Sequence, residues 1–435
     1  MRTVGEWMRE IDRGAWASRL AALYGTAGVE RATGRIRALL SRFAGTFGEE
    51  RQVMLFSVPG RSELVGNHTD HNHGRVIAAS IDPDILAVAS PRDDGVIRMA
   101  SDGFPTDTVA VADTSAPDPA AFGTSAALIA GMVNGFFVSG YAVGGFDACA
   151  QSEVLRGSGL SSSAAYEVMI GTILNGLYNG GAVDALTVAK LAQRAENVYF
   201  GKPCGLMDQC ACAIGGIVAL DFANPSAPVV DRIDFDLSGA GYALCIVNTG
   251  GNHADLTADY ASVPAEMRAV AAALSGEVLR DVRREDVVKN LPRLREACGD
   301  RAVLRALHFF DENERVGTME AALRAGDLAA WFDGVKASGR SSFCYLQNVY
   351  TTANVREQGL SLALCLCEHR PCVAFRVHGG GFAGTIQAYV RREDVETFRA
   401  AMDAAFGAGA CLPMSVRMVG AYIFTEPDDR GGDAR

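Results

Sequence analysis

Gly157-Ser158-Gly159-Leu160-Ser161-Ser162-Ser163-Ala164-Ala165 stands directly ahead of an apolar run carrying Val168, Met169, Ile170, Ile173, Leu174 and Leu177. The run has helical spacing. A loop of glycines and serines that enters a helix is suited to an anion. Glycines let the backbone curl its N–H groups inward, and the helix N-terminus adds partial positive charge. The serine hydroxyls can reach phosphate oxygens or a metal. The same residues also fit a plain Ser N-cap after a glycine turn.

Three other stretches carry chemistry-bearing side chains: Pro59-Gly60-Arg61-Ser62-Glu63-Leu64-Val65-Gly66-Asn67-His68-Thr69-Asp70, Gly201-Lys202-Pro203-Cys204-Gly205-Leu206-Met207-Asp208-Gln209 and Gly379-Gly380-Gly381-Phe382-Ala383-Gly384. His68, Asp70, His71 and His73 invite a metal reading, but the helix-face spacing of a zinc protease is missing. Asp208 lies in a Gly/Pro-rich loop rather than on a solvated helix face, where by itself it reads as a turn residue bonded to its own backbone. The glycines at 379, 381 and 384 match a dinucleotide-binding pattern, which requires a helix next. Thr385–Val390 reads instead as a strand, so a tight hairpin turn fits better.

The elements that must position these groups follow from periodicity. Residues 1–50 read mainly as helix, with Leu20, Leu23, Ile36, Leu39, Leu40 and Phe43 at helical spacing. Residues 51–58 read as a strand ending at Pro59-Gly60. Val76–Ala79 and Ile85–Ala89 read as further strands, and Asp93-Asp94-Gly95 as a hairpin turn returning through Val96–Ala100. Ser125–Ser139 reads as a helix and Phe146–Ser152 as a strand into the Gly/Ser loop. Asp184 can cap a helix to about Val198, which carries Glu196; alone, that Glu reads as a solvated helix residue. Ile217–Leu220 reads as a strand, and Asn224–Pro228 as a break. The expected domains are 1–225 and 226–427, with 428–435 a frayed tail. Beyond the break come a strand at Ala243–Asn248, several helices, strands at Cys372–Val377 and Thr385–Val390, and a helix at Val395–Phe406.

The chain has 435 residues, long for one core, so two domains are the default. It is 49% hydrophobic and 21% charged, an ordinary globular composition. Its 40 basic and 51 acidic residues give a formal charge of −11, which argues against nonspecific nucleic-acid binding. No apolar run approaches the roughly 18 residues of a membrane span. Met1 to Ala17 mixes both charge signs, unlike a secretory signal. Eleven cysteines in a chain this long suggest a reducing, cytoplasmic setting rather than a disulfide framework. On strands, Cys210/Cys212 and Cys365/Cys367 would each point to one face, but neither pair completes a zinc set. Buried free thiols are the expectation, in a protein that is most simply a monomer.

Taken together and in this order, the four motifs resemble the galactokinase branch of the GHMP small-molecule kinases, from about Arg51 to about Thr425. The resemblance implies an α/β fold of the α+β type, with two domains and the active site in the cleft between them. It implies ATP-dependent phosphorylation of D-galactose at the anomeric C1 hydroxyl, with Mg²⁺. It places Asp208 beside the attacking hydroxyl, with Arg61 holding it ionised, and Asn67, His68, Asp70, Gly205 and Tyr260 around the sugar. Gly157, Ser158, Gly159, Leu160, Ser161, Ser162 and Ser163 would hold the nucleotide, and Ser163 with Glu196 the magnesium. The triple-glycine turn would pack close to the phosphate loop. No Walker A or protein-kinase signature competes.

Two departures from the family's pattern concern the sugar. The usual Gly-Glu-His-Thr-Asp has Asn67 for its Glu, which in the family reaches the distal sugar hydroxyl, and the following Tyr is His71. A kinase for a related sugar, such as N-acetylgalactosamine or a uronic acid, therefore stays open. So does a non-catalytic sugar and ATP sensor, although the complete serine loop and Asp208 weigh against it.

Overall fold

A computed structural model describes residues 1–154, 160–202, 204–251 and 256–427. The expected tail at 428–435 lies outside the described residues. Thirteen strands are assigned among them. In chain order these are β1 (Arg2–Thr3), β2 (Gln52–Val65), β3 (Arg75–Arg92), β4 (Val96–Ser101), β5 (Asp107–Ala110), β6 (Gly145–Ser152), β7 (Ile217–Asp221) and β8 (Val229–Ile233). Then follow β9 (Tyr242–Asn248), β10 (Ala374–Val377), β11 (Thr385–Arg391), β12 (Cys411–Met414) and β13 (Tyr422–Phe424). The first sheet runs β1-β2-β3-β6-β4-β5, with β13 added to β2, β7 to β3 and β8 to β7. The second runs β10-β11-β9-β12.

Both faces of the first sheet are buried, and the strands show why. Leu55, Leu86 and Val88 join one apolar cluster, while their neighbours Phe56, Ile85, Ala87 and Ala89 join the other. This is the period-two alternation of a strand sandwiched between two helical layers. One layer is α1 (Val4–Asp12), α2 (Ala17–Tyr24) and α3 (Val29–Phe47), which bring Trp7, Trp16, Leu39 and Phe43 to it. The other is α4 (Ser125–Val138), α5 (Ser162–Tyr178), α6 (Ala185–Arg194) and α7 (Met207–Ile214). The remaining helices are α8 (Thr257–Ala273), α9 (Arg284–Lys289), α10 (Leu291–Cys298), α11 (Asp300–Ala325), α12 (Leu328–Ser341), α13 (Gly359–Glu368) and α14 (Val395–Phe406). This mixture of sheets and helices is the expected α/β class.

Four local expectations change. β2 does not stop at Pro59-Gly60; its pairing with β3 shifts register there and runs on to Val65. A bulge accommodates the proline, which has no N–H to give a ladder. The two expected strands at 76–79 and 85–89 are one long β3, whose first part pairs with β7 and second with β6. β3 and β4 are not a hairpin: β6 lies between them, antiparallel to β3 and parallel to β4. Cys210, Cys212, Cys365 and Cys367 sit on helices, where i,i+2 side chains diverge, and all eleven cysteines are free.

The proposed boundary at 225/226 falls inside the β7–β8 hairpin, so the first sheet extends to Ile233. It also takes β13 from the far end of the chain, paired with Leu55–Ser57. A buried ion cluster fastens that return. Fully buried Asp84 accepts from Tyr24 OH at 2.5 Å, Arg35 Nη1 at 2.8 Å, Arg417 Nη1 at 3.2 Å and Ser57 Oγ. Arg417 in turn donates to the carbonyls of Val419 and Gly420. Asp84→Ala leaves the buried Arg417 guanidinium without its counter-charge and Arg35 with Glu153 alone, and urea titration should show a loss of about 3–5 kcal/mol.

Candidate active site

Arg61, on β2, is where the site begins. Gly60 precedes it in the bulge, and a Cβ there would stand 3.1 Å from the Leu160 carbonyl oxygen. The bare glycine lets the strand approach the loop, and Arg61 N–H donates to that same carbonyl at 3.2 Å. The Leu160 side chain is fully buried in the core. Gly157, Ser158 and Gly159 of the proposed nucleotide loop lie outside the described residues.

Arg61 reaches Asp208 with a fork: Nε to Oδ1 and Nη2 to Oδ2, both 2.7 Å. Asp208 is not in a loop, as the sequence suggested, but in the first turn of α7. There the helix N-terminus adds a further positive field. Ser161 Oγ also donates to Asp208 Oδ2. Burial would push this carboxyl up. The Arg61 charge, its fork and the Ser161 hydroxyl more than offset that and hold Asp208 below the usual carboxylate range. Oδ2 takes two donors and Oδ1 one, so Oδ1 has the open acceptor position among the described residues. The side chain is 29% exposed, which leaves room for a ligand.

Ser161 was expected on the nucleotide, but its hydroxyl turns to Asp208. It occupies the N-cap of α5 in the left-handed region, at φ 56°, and makes no side-chain cap bond. The first-turn N–H groups of α5, at Ser162 and Ser163, are therefore left without a side-chain cap and suit an anion.

Ser163 Oγ donates to Glu196 Oε1 at 3.2 Å. Glu196 is not a solvated helix residue. The chain widens after α6 into a π-helical turn, Ala195–Phe200, which turns Glu196 inward to 2% exposure. Its carboxylate also takes Lys202 Nζ and Gln209 Nε2, each at 2.9 Å. Fully buried Glu167, four residues after Ser163, takes Gln209 Nε2 at 3.2 Å, and its Oε1 has no partner. Burial and the neighbouring Glu196 push Glu167 well up. These hard oxygens suit a small divalent cation. Among the described residues no three His, Cys, Asp or Glu side chains converge as a metal cage.

The sugar motif folds as a turn after β2. His68 sits at φ 60°, and its Nε2–H donates to Gly380 O at 2.9 Å. Its Nδ1 is buried without a partner. Burial and nearby His71 push His68 down to about 4, so it is neutral with an acceptor free. Asp70 faces Gly205: a Cβ at 205 would lie 2.7 Å from its Oδ2. A cavity of about 220 Å³ opens there, lined by Asp70, His71, Cys204, Gly205 and Leu206 among others. Tyr260, on α8, packs against the triple-glycine turn, where a Cβ at 380 would fall 2.0 Å from the ring. Burial pushes its phenol up to about 12. The turn touches Asn67, His68, Asn348 and Tyr260, which makes it a support of the sugar motif; the Gly157–Gly159 segment that it was expected to approach lies outside the described residues.

Asn67 does not behave as a sugar contact. It is fully buried, Nδ2 donates to Gly379 O at 2.6 Å and Glu63 Oε1 at 3.2 Å, and Oδ1 accepts from Asn348 Nδ2 at 2.7 Å and Ser342 Oγ at 3.3 Å. Both donors and both acceptor positions are occupied. It fastens the motif to the second half of the chain.

Residues 41–91 match the family model described as the galactokinase galactose-binding signature, and residues 127–216 that of the GHMP kinases N-terminal domain. The chain is 33% identical over 374 residues to a galactokinase of Streptomyces coelicolor, covering 84% of this chain and 92% of that protein. The chain belongs to the galactokinase family. It is 30% identical to a galactokinase of Enterococcus faecalis, covering 83% and 91%. The crystal structure of Lactococcus lactis galactokinase complexed with galactose superposes with a TM-score of 0.74 at 26% identity, covering 88% of this chain and 98% of that one. Methanococcus jannaschii mevalonate kinase, at 13% identity and a TM-score of 0.60, shares the fold.

Sequence reasoning missed Glu167, Lys202 and the Ser161–Asp208 contact. Glu167 carried one signal, a lone acid in an otherwise apolar helix. Removing the Ser161 hydroxyl removes a donor to the ionised form of Asp208. Ser161→Ala should therefore raise the Asp208 pKa, and the acid limb of the kcat profile should move to higher pH.

Proposed function

We propose that this chain transfers the γ-phosphoryl group of ATP to the anomeric C1 hydroxyl of D-galactose, giving galactose 1-phosphate and ADP. The observation that carries the reading is the forked Arg61–Asp208 pair beside the uncapped N-terminus of α5. The pair supplies an acceptor for a hydroxyl proton next to a place for phosphate oxygens.

In this reading His68 and Asp70 bind sugar hydroxyls in the space that Gly205 leaves open. Tyr260 closes the sugar side. Asp208 Oδ1 receives the C1 hydroxyl. A carboxylate held below its usual range is a weak base, so it orients the hydroxyl and accepts the proton as the new O–P bond forms. This suits a phosphoryl transfer with a loose transition state, in which alignment and electrostatics do most of the work. Arg61 keeps Asp208 ionised and puts permanent positive charge beside the transferred group. The N–H groups of Ser162 and Ser163 receive phosphate oxygens. Mg²⁺, held by Ser163 and Glu196 with nucleotide oxygens and water, would neutralise phosphate charge. No helix among the described residues is long and apolar enough to cross a membrane.

Asp208→Asn keeps the shape and an acceptor for Arg61 but takes no proton. Turnover should fall by at least about 100-fold, with the thermal unfolding midpoint little changed. Near-normal turnover would remove Asp208 from this role. Ser163→Ala and Glu196→Gln should each raise the Mg²⁺ concentration for half-maximal activity several-fold. Galactose affinity, measured by calorimetry without nucleotide, should stay the same in both.

A further inference from the structure

Asn67 is fully occupied by the protein, so it has no group to offer a sugar. Its partner Glu63 has one. Glu63 Oε1 takes both of the recorded donors, Asn67 Nδ2 at 3.2 Å and Arg376 Nη2 at 2.8 Å. Oε2 accepts no hydrogen bond among the described residues, and it is not among the buried atoms that lack a partner. The side chain keeps 7% of its surface exposed, while Arg376 is fully buried.

The strand says which way Glu63 points. Pairing with β3 is regular from Arg61↔Ser80 through Ser62↔Ala79 to Glu63↔Ala78. Residues two apart on a regular strand share a face, about 7 Å from one another. Glu63 therefore lies on the same face as Arg61, which holds Asp208, at a separation comparable to the width of a pyranose ring. Asp70, Tyr260 and Arg61 are the charged or titratable neighbours that its charge reaches besides Arg376. Arg376 donates as well to Leu64 O at 2.9 Å, and Gln387 Nε2 to the Glu63 carbonyl at 3.1 Å, so the backbone and one carboxylate oxygen are clamped from the second sheet. The other oxygen is left to a ligand.

Resting on the galactose kinase reading above, we propose that Glu63 is a sugar-specificity residue, whose Oε2 accepts a hydrogen bond from one galactose hydroxyl while Asn67 and Arg376 hold Oε1. The carboxylate that reads the sugar on this side of the ring comes from the strand and not from the turn after it.

Glu63→Gln tests this, because its amide oxygen can still accept from Asn67 and Arg376. Catalytic efficiency is measured in wild type and variant on galactose, 2-deoxygalactose, 4-deoxygalactose and 6-deoxygalactose. Galactose binding is measured by calorimetry, and folding by thermal unfolding. The expected result is a loss of about ten- to hundredfold on galactose, expressed in KM, with KM for ATP unchanged. On one deoxy sugar, the one that lacks the hydroxyl Glu63 reads, variant and wild type should agree within about twofold, since the contact is already absent. An equal loss on every sugar would make Glu63 a structural partner of Arg376 and overturn the assignment alone. No loss on galactose would overturn it as well. Wild-type protein that neither bound nor phosphorylated galactose would overturn the reaction, and this assignment with it.

Discussion

Keeping one carboxylate ionised where water is scarce is the constraint on which the site depends. Burial disfavours the charge on Asp208, and only a fixed counter-charge with directed donors can hold it. Arg61 supplies both, and its position explains the local irregularities around it. The bulge at Pro59-Gly60 brings β2 against Leu160. The left-handed Ser161 turns its hydroxyl to Asp208 rather than to its own helix. α7 begins one residue before Asp208 and adds its N-terminal field. Each of these would be a small cost elsewhere in a protein; here they converge on a single pair of atoms.

The sugar motif is the joint between the two halves of the chain. Gly66 N–H donates to Glu312 Oε1 at 3.1 Å, and His308 Nε2–H donates to Asn67 O at 3.0 Å. Glu312 is held down to about 2, with burial opposed by His308, Arg315 and Arg376. Ser338 adds a hydroxyl at 2.5 Å. Side chains from α11 and α12 thus set the backbone of a turn that grows out of the first sheet. The shape of this turn is therefore set by how the second half of the chain packs against the first sheet.

What was legible in the sequence is what is local. α14 spans Val395–Phe406 as its 3.6-residue pattern indicates, and Asp184 caps α6 by accepting from Thr187 N. The Gly/Ser loop, the His-Thr-Asp turn and the triple glycine stood out because each concentrates glycines or chemistry-bearing side chains in a short run. What was not legible is long-range. Asp93-Asp94-Gly95 is a turn, but no local signal says that β6 will insert beside it. Arg61 and Asp208 are 147 residues apart, and Asn67 and Asn348 are 281 apart. Asn67 stands where the family carries its Glu, and that position alone implies a sugar contact. The fold instead pairs it with Glu63, so that the two residues must be read as one unit.

The pairing of β13 with β2 has a consequence for how the chain is made. The strand that carries Arg61 has its outer edge covered at Gln52 and Val53 by β1, but at Leu55–Ser57 by residues 422–424. During synthesis, therefore, residues 422–424 must follow before that edge can close. Until then an apolar strand stands bare, open to pairing with another nascent copy. A chain cut short before residue 422 would therefore leave Leu55–Ser57 unpaired on the same strand that carries Arg61.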